Sequence, residues 1–320
     1  MIKRRFLNLI NKAKNNLLNS YFTIEALEDG LTAKLSNNAC EYCVDNGEWE
    51  SLAAGTNTET INTGQTLSFR ASLSSTNNGI GTFTISKKCN LKGNIMSLLY
   101  SDDFIDKTDL IGKNDAFYNL FYNCTNIVDA SELVLPATTL ANYCYGNMFK
   151  NCTSLTTAPE LPARFLKYDC YYMMFYGCKN LNYIKMLASD ISSSSWLTNW
   201  VFGVSSTGTF VKNANMTSLP SGTSGIPSGW AVQDYVVNIQ LINFTINGNE
   251  YQAEEGITWE DFINSKYNFD KLTTMGVQLV YYNDLSSINP IYKDDIILNN
   301  TNYTFSRSNA PTLPPIMPPL

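Results

Sequence analysis

The side chains able to do chemistry in this chain are eight cysteines, nineteen tyrosines and three pairs of adjacent identical acids, and histidine is absent. Without histidine, Ser-His-Asp and Cys-His nucleophilic catalysis and imidazole-ligated metal sites are excluded. The acid pairs are Asp102-Asp103, Glu254-Glu255 and Asp294-Asp295. Neighbouring residues of a strand point to opposite faces, whereas glycoside hydrolysis needs two carboxyls about 5–10 Å apart across a sugar. They read as loop and turn acids, and no enzyme is expected. Cys40-x-x-Cys43 offers two thiols where a structural zinc needs four ligands, so no metal and no cofactor are expected. A disulfide such as Cys43–Cys89 stays open as an alternative to buried, reduced thiols. A formal net charge of −6 gives no basic footprint for nucleic acid.

Tyrosine is the richest surface signal. Tyr118, Tyr122, Tyr143, Tyr145, Tyr168, Tyr171, Tyr172 and Tyr176 fall in one stretch, and exposed aromatic rows bind sugar rings or protein partners. Most are expected to pack beside the core. The candidate ligand contacts are Tyr122, Tyr145, Tyr172 and Tyr176.

What positions them is a repeat. Ala116–Cys124, Cys144–Cys152 and Cys170–Cys178 each carry a Phe three places before a closing Cys. The closing cysteines, Cys124, Cys152 and Cys178, recur at a near-constant period in the twenties, and a worn copy at Trp196–Val204 keeps it. Such a period marks a solenoid, in which a coil cannot bury its own apolar face and stacks on equivalent residues above and below. Three internal rows are expected: Phe121, Phe149, Phe175; Cys124, Cys152, Cys178; and Ile127, Leu155, Leu181. Free Cys serves there as a small hydrophobe. Asn123 and Asn151 begin glycosylation sequons but sit inside the repeat, where asparagine suits tight turns.

The Phe-x-x-Cys-Thr-x-Leu core with a Pro-terminated segment behind it, complete at Met148–Ala163, resembles BspA-like leucine-rich repeats. The variant is similar to repeats of gut Bacteroidales surface proteins and their phages, crAss-like phages included. The resemblance covers about residues 80–231 and implies a binding scaffold. It also implies a structural protein on a bacteriophage virion, a head fibre, decoration or tail-associated fibre that holds host-surface glycan or protein. The alternative is an exported adhesin on a bacterial cell surface.

The flanks complete a multidomain, mainly β expectation. Residues 1–20 read as an amphipathic helix, with Phe6, Ile10, Ala13 and Leu17 on one side and Lys3, Arg4, Arg5, Lys12 and Lys14 on the other. It could pack on its neighbour or anchor the chain to other virion proteins. The first apolar run, short and interrupted by Asn8, does not make a signal peptide, and no apolar stretch approaches the ~20 residues of a membrane span. No export signal and no membrane partner are therefore expected.

Residues 21–89 alternate apolar and polar in short strands with Asp29-Gly30 and Asn46-Gly47 turns, as an immunoglobulin-like sandwich does, with Trp49 in its core. The solenoid with its caps takes 90–231. Residues 236–306 read as a β-grasp-like α+β module in ββαββ order, with a helix opening at Thr258–Asp261. Residues 307–320 are a proline-rich tail, extended polyproline that dangles or docks in a groove. A homo-oligomer is expected.

Overall fold

The computed structural model describes residues 17–73, 79–216, 220–235, 241–246, 249–254, 262, 277–282, 288–290 and 302–307. The chain divides into two compact units, Met1–Tyr235 and Val236–Leu320, and is mainly β. Of the expected N-terminal helix, residues 1–16 lie outside the described residues; Leu17 and Leu18 are helical.

The first unit begins with β1 (Phe22–Ala26), β2 (Ala33–Leu35), β3 (Cys40–Val44), β4 (Glu50–Leu52), β5 (Thr66–Arg70), β6 (Phe83–Ile85) and β7 (Cys89–Asn94), followed by β8 (Ile127–Val134). Period-two alternation makes β1 a strand: Phe22, Ile24 and Ala26 are buried while Thr23 and Glu25 face outward. The main sheet runs β4-β3-β5-β1-β7-β8, with β2-β6 a separate pair. The β3–β4 connection turns on Asp45 and Asn46, both at positive φ (49° and 60°), with the Gly47 N–H donating to the Val44 carbonyl. The left-handed residues are thus one place earlier than Asn46-Gly47.

The expected boundary at 89/90 is absent. β7 pairs antiparallel with β1 on one side and parallel with β8, the first strand of the repeat, on the other. A parallel partner so far along the chain leaves no local signal, because Cys89 opposite Ile127 is a long-range pairing. One buried core runs from Phe22 to Trp230. Trp49 also departs from expectation: it is half-buried, its ring capped by the Arg70 guanidinium at 4.3 Å and met edge-on by Tyr21 at 4.8 Å.

The repeat proper follows an unusual backbone rule. Phe117, Asn119, Phe121 and Asn123 donate their N–H groups to the next coil, to the carbonyls of Cys144, Gly146, Met148 and Lys150, at 2.8–3.0 Å. The residues between them, Tyr118, Leu120, Tyr122 and Cys124, donate three places back within their own coil. The second coil repeats this into the third, and the third into the worn copy, ending with Gly177 to Phe202 at 2.7 Å. Each donor in the ribbon is satisfied without helix or strand. Every fourth residue takes a left-handed conformation: Asp115, Asn119 and Asn123; Tyr143, Asn147 and Asn151; Asp169, Met173 and Gly177; Asn199 and Gly203. Asn, Asp and Gly dominate because they tolerate positive φ.

On the opposite side the coils meet as parallel strands. Asp129, Thr157, Tyr183, Thr209 and Ala231 form one unbroken line of pairings, through β9 (Tyr183–Met186), β10 (Thr209–Asn213) and β11 (Ala231–Tyr235). Two further coils therefore follow where the sequence suggested a worn turn and a cap. Trp200, fully buried, takes the row of Leu120, Met148 and Met174 and covers Phe175 at 5.9 Å.

All three expected rows are buried: Phe121, Phe149 and Phe175; Cys124, Cys152 and Cys178; Ile127, Leu155 and Leu181. Cys is not merely a filler. The Cys124, Cys152 and Cys178 thiols donate to the carbonyls of Phe83, Phe121 and Phe149, at 2.8, 3.1 and 3.0 Å, so each ties its coil to the preceding Phe. All eight cysteines are buried and free. Two strands, β5 and β1, separate Cys43 on β3 from Cys89 on β7, which at ~4.8 Å per strand is too far for a bridge. Burial pushes the thiols of Cys40, Cys124 and Cys170 up to about 12. A native chain at mildly alkaline pH should consume almost no aromatic disulfide reagent, and a denatured chain eight equivalents. Fast reaction of several thiols in the native chain would refute the buried rows.

The second unit holds β12 (Leu241–Ile246), β13 (Asn249–Glu254), β14 (Val277–Tyr282), β15 (Ile288–Pro290) and β16 (Asn302–Arg307). Its sheet runs β13-β12-β16-β14-β15, with the central pair β12 and β16 parallel and the other pairs antiparallel. Phe262 meets Tyr251 edge-on at 6.2 Å. The expected helix start Thr258–Asp261 and residues 308–320 of the expected proline-rich tail lie outside the described residues.

Candidate functional site

The backbone rule decides which repeat side chains face outward. Two inward residues follow the first two left-handed positions of each of the three coils, as Ala116 and Phe117 follow Asp115, or Cys144 and Tyr145 follow Tyr143, and a single inward cysteine follows the third. The next residue and the following left-handed one lie outside that core. The outer face of the ribbon is therefore built from Tyr118 and Asn119, Tyr122 and Asn123, Lys150 and Asn151, Tyr172 and Met173, and Tyr176 and Gly177, while Gly146 and Asn147 at the equivalent place are buried, Gly146 against the Tyr118 ring.

Three of the four candidate tyrosines lie on this face. The fourth does not. Tyr145 is 1% exposed, stacked between Phe117 at 5.6 Å and Tyr171 at 5.9 Å. It belongs to an internal row that a phenylalanine occupies one coil earlier. Its hydroxyl has no hydrogen-bond partner, the cost of a Tyr where Phe would serve.

Tyr122 and Tyr176 hold the Lys150 ammonium between them, with Nζ 5.8 and 5.2 Å from their ring centres. Tyr176 also stacks on Phe202 at 4.7 Å with the rings 16° apart. Phe202, 45% exposed, was not visible as a site residue because the copy carrying it has lost its Phe and Cys. It occupies the row of Tyr122, Lys150 and Tyr176, and the period-four glycine at 203 is the signal that would have placed it.

Tyr172 belongs to a second cluster centred on Tyr143, which meets Tyr118, Tyr168 and Tyr172 edge-on at 6.4, 5.5 and 6.1 Å. Tyr118 lies across Gly146, where an added Cβ would come within 2.6 Å of its ring, and its hydroxyl accepts from Asn147 Nδ2 at 2.8 Å. Beneath the rings lie two carboxylates. Asp169, 6% exposed, accepts from Thr198 Oγ1 at 2.8 Å, and burial raises the Asp115 carboxyl above its usual range. Burial, followed by hydrogen bonds to Tyr168 and Asp169, pushes the Tyr143 phenol upward. Burial does the same to Tyr118, with Tyr172 and Asp115 adding to it.

The face offers flat rings, one cation and several hydroxyls on a backbone fixed by coil-to-coil hydrogen bonds. That suits stacking against a ligand. Of the acid pairs, Asp102 is tied to Arg70 at 2.8 and 3.0 Å and to Tyr21 at 2.9 Å, an ion-paired clip at the surface; Glu255, Asp294 and Asp295 lie outside the described residues. Among the described residues, no group of three or more Cys, Asp or Glu is placed to hold a metal, and no helix is long and apolar enough to cross a membrane.

No protein-family model matches the chain, and no curated protein and no solved structure matches it.

Proposed function

We propose that this chain is an attachment protein: a structural component of a bacteriophage virion, fibre or decoration, whose repeat face holds a host-surface carbohydrate or protein. The observation that carries the attachment reading is the aromatic outer face, with Tyr122 and Tyr176 about Lys150, Phe202 stacked on Tyr176, and Tyr172 in the Tyr143 cluster. Sugar C–H faces stack on such rings, while hydroxyls and a lysine fix orientation. The virion placement rests on the BspA-like resemblance of Met148–Ala163 to repeats of gut phages. In this reading the N-terminal segment and the proline-rich tail meet other virion proteins, and the C-terminal unit, with its parallel central strand pair, is a β-grasp module.

A glycan array probed with the full chain and with the Tyr122→Ala/Tyr176→Ala double variant tests the face. Stacked rings contribute roughly 0.5–1.5 kcal/mol each, so the variant should bind its glycans about tenfold more weakly while melting normally. Mass spectrometry of purified particles tests the placement. Absence of the chain from complete virions removes the phage reading, and wild-type chain that retains neither glycan nor host cells removes attachment.

A further inference from the structure

The Tyr143 cluster contains an electrostatic mismatch. Asp169 is a nearly buried carboxylate whose partners are hydroxyls, those of Thr198 and Tyr143. Asp115 lies at the equivalent position one coil below Tyr143, and both acids act on the Tyr118 phenol. Among the described residues no lysine or arginine forms an ion pair with either acid. A carboxylate withdrawn from water without a cation is costly. The lysine on this face is committed elsewhere: Lys150 Nζ lies over Tyr122 and Tyr176 and 3.3 Å from Met173 Sδ.

A second observation is independent of the acids. Asn147, 7% exposed, sets one end of its amide on the Tyr118 hydroxyl, and its Oδ1 is buried without a partner. Whichever way the amide is turned, one of its polar ends is left to be met. Four phenol rings meet at the same place, Tyr118, Tyr168 and Tyr172 each set edge-on to Tyr143, and the ring faces left open attract organic cations, weakly hydrated quaternary ammonium groups above all.

We propose that the patch formed by Tyr118, Tyr143, Tyr168 and Tyr172 over Asp115 and Asp169, beside Asn147, binds an organic ammonium group. The group is carried by the surface polymer to which the chain attaches, so this assignment of the bearer rests on the attachment reading. The rings supply the contact area and Asp169 the countercharge. Asn147 Oδ1 accepts an N–H or polarised C–H of the ligand. Two sources share this chemistry, a choline-type trimethylammonium and the free amine of an amino sugar.

The full chain is titrated calorimetrically with choline and its neutral isostere 3,3-dimethylbutanol, and with glucosamine and N-acetylglucosamine. At least one cation should saturate roughly tenfold more tightly than its neutral counterpart, the gain expected of a cation on partly desolvated rings. The pair showing the difference identifies the source. Asp169→Asn should erase that preference. Tyr168→Ala, at a ring 53% exposed and so dispensable for folding, should weaken the cation roughly threefold to tenfold and keeps the test valid if the aspartate variant does not fold. Equal binding of cation and isostere, or no binding of either cation, overturns the proposal. If host cells still retain the chain in that case, attachment stands without the ammonium site. Ammonium binding with no retention by cells or glycans leaves the site and removes attachment.

Discussion

Replacing Phe149 by alanine lowers the free energy of unfolding by about 3–5 kcal/mol, the range for deleting a buried aromatic ring. Phe149 is fully buried and stacks on Phe121 at 5.3 Å and Phe175 at 5.7 Å, with interplanar angles of 27° and 16°. The ladder leaves little room for collapse. Neighbouring coils are held apart by the Phe121-to-Met148 and Phe149-to-Met174 backbone bonds, so the cavity cannot close by moving one coil toward the next. Equilibrium denaturation of the first unit's transition measures the effect. A change below about 1 kcal/mol would show that the ring is not a rung of the core.

Gly93→Ala should be comparably damaging for a different reason. Gly93 lies in β7 at φ 73°, and a methyl group there would sit 2.0 Å from the Tyr21 carbonyl oxygen. The obstacle is backbone, so no rotamer change relieves it. The segment at Ser20–Phe22 must move, opening the bond from the Asn94 N–H to the Ser20 carbonyl at 2.8 Å and the bridge between Tyr21 and Asn94. Left-handed strain plus overpacking amounts to roughly 2–5 kcal/mol. Thermal melting checks the size, and protection of the Tyr21–Ala26 amides from hydrogen exchange checks the location. Wild-type stability would mean that β1 and β7 do not meet so closely.

The inner rows were legible because the same residue type returns at the same place: Phe, Cys and Leu repeat, and each proved buried. The tyrosines were not separable that way. Tyr145 and Tyr172 are both tyrosines beside the Phe ladder, yet one is the second of an inward pair and the other follows such a pair. Only the period of four in left-handed residues separates them, and Tyr143 and Met173 disguise that period by occupying positions where Asn, Asp or Gly would advertise it. Trp49 misled because a Trp in an alternating segment suggests a core, and its partner Arg70 is contributed by another strand. The seam between β7 and β8 was illegible for a topological reason: the parallel pairing of Cys89 with Ile127 has no turn to mark it.

Each coil-to-coil bond joins a donor to the carbonyl one residue before its equivalent in the following coil, and this constant offset makes a coil an interchangeable rung. Excising one full repeat, Cys152–Gly177, would join Asn151 to Cys178 and leave every row shortened by one member, with both ends still partnered. Recombination between the similar segments ending at Cys152 and Cys178 could thus lengthen or shorten the stack by one rung, about 4.8 Å, without disturbing the N-terminal sheet or the C-terminal unit. The distance from the N-terminal sheet to the last coil strand, β11, is, in this architecture, a heritable dimension that changes in fixed steps.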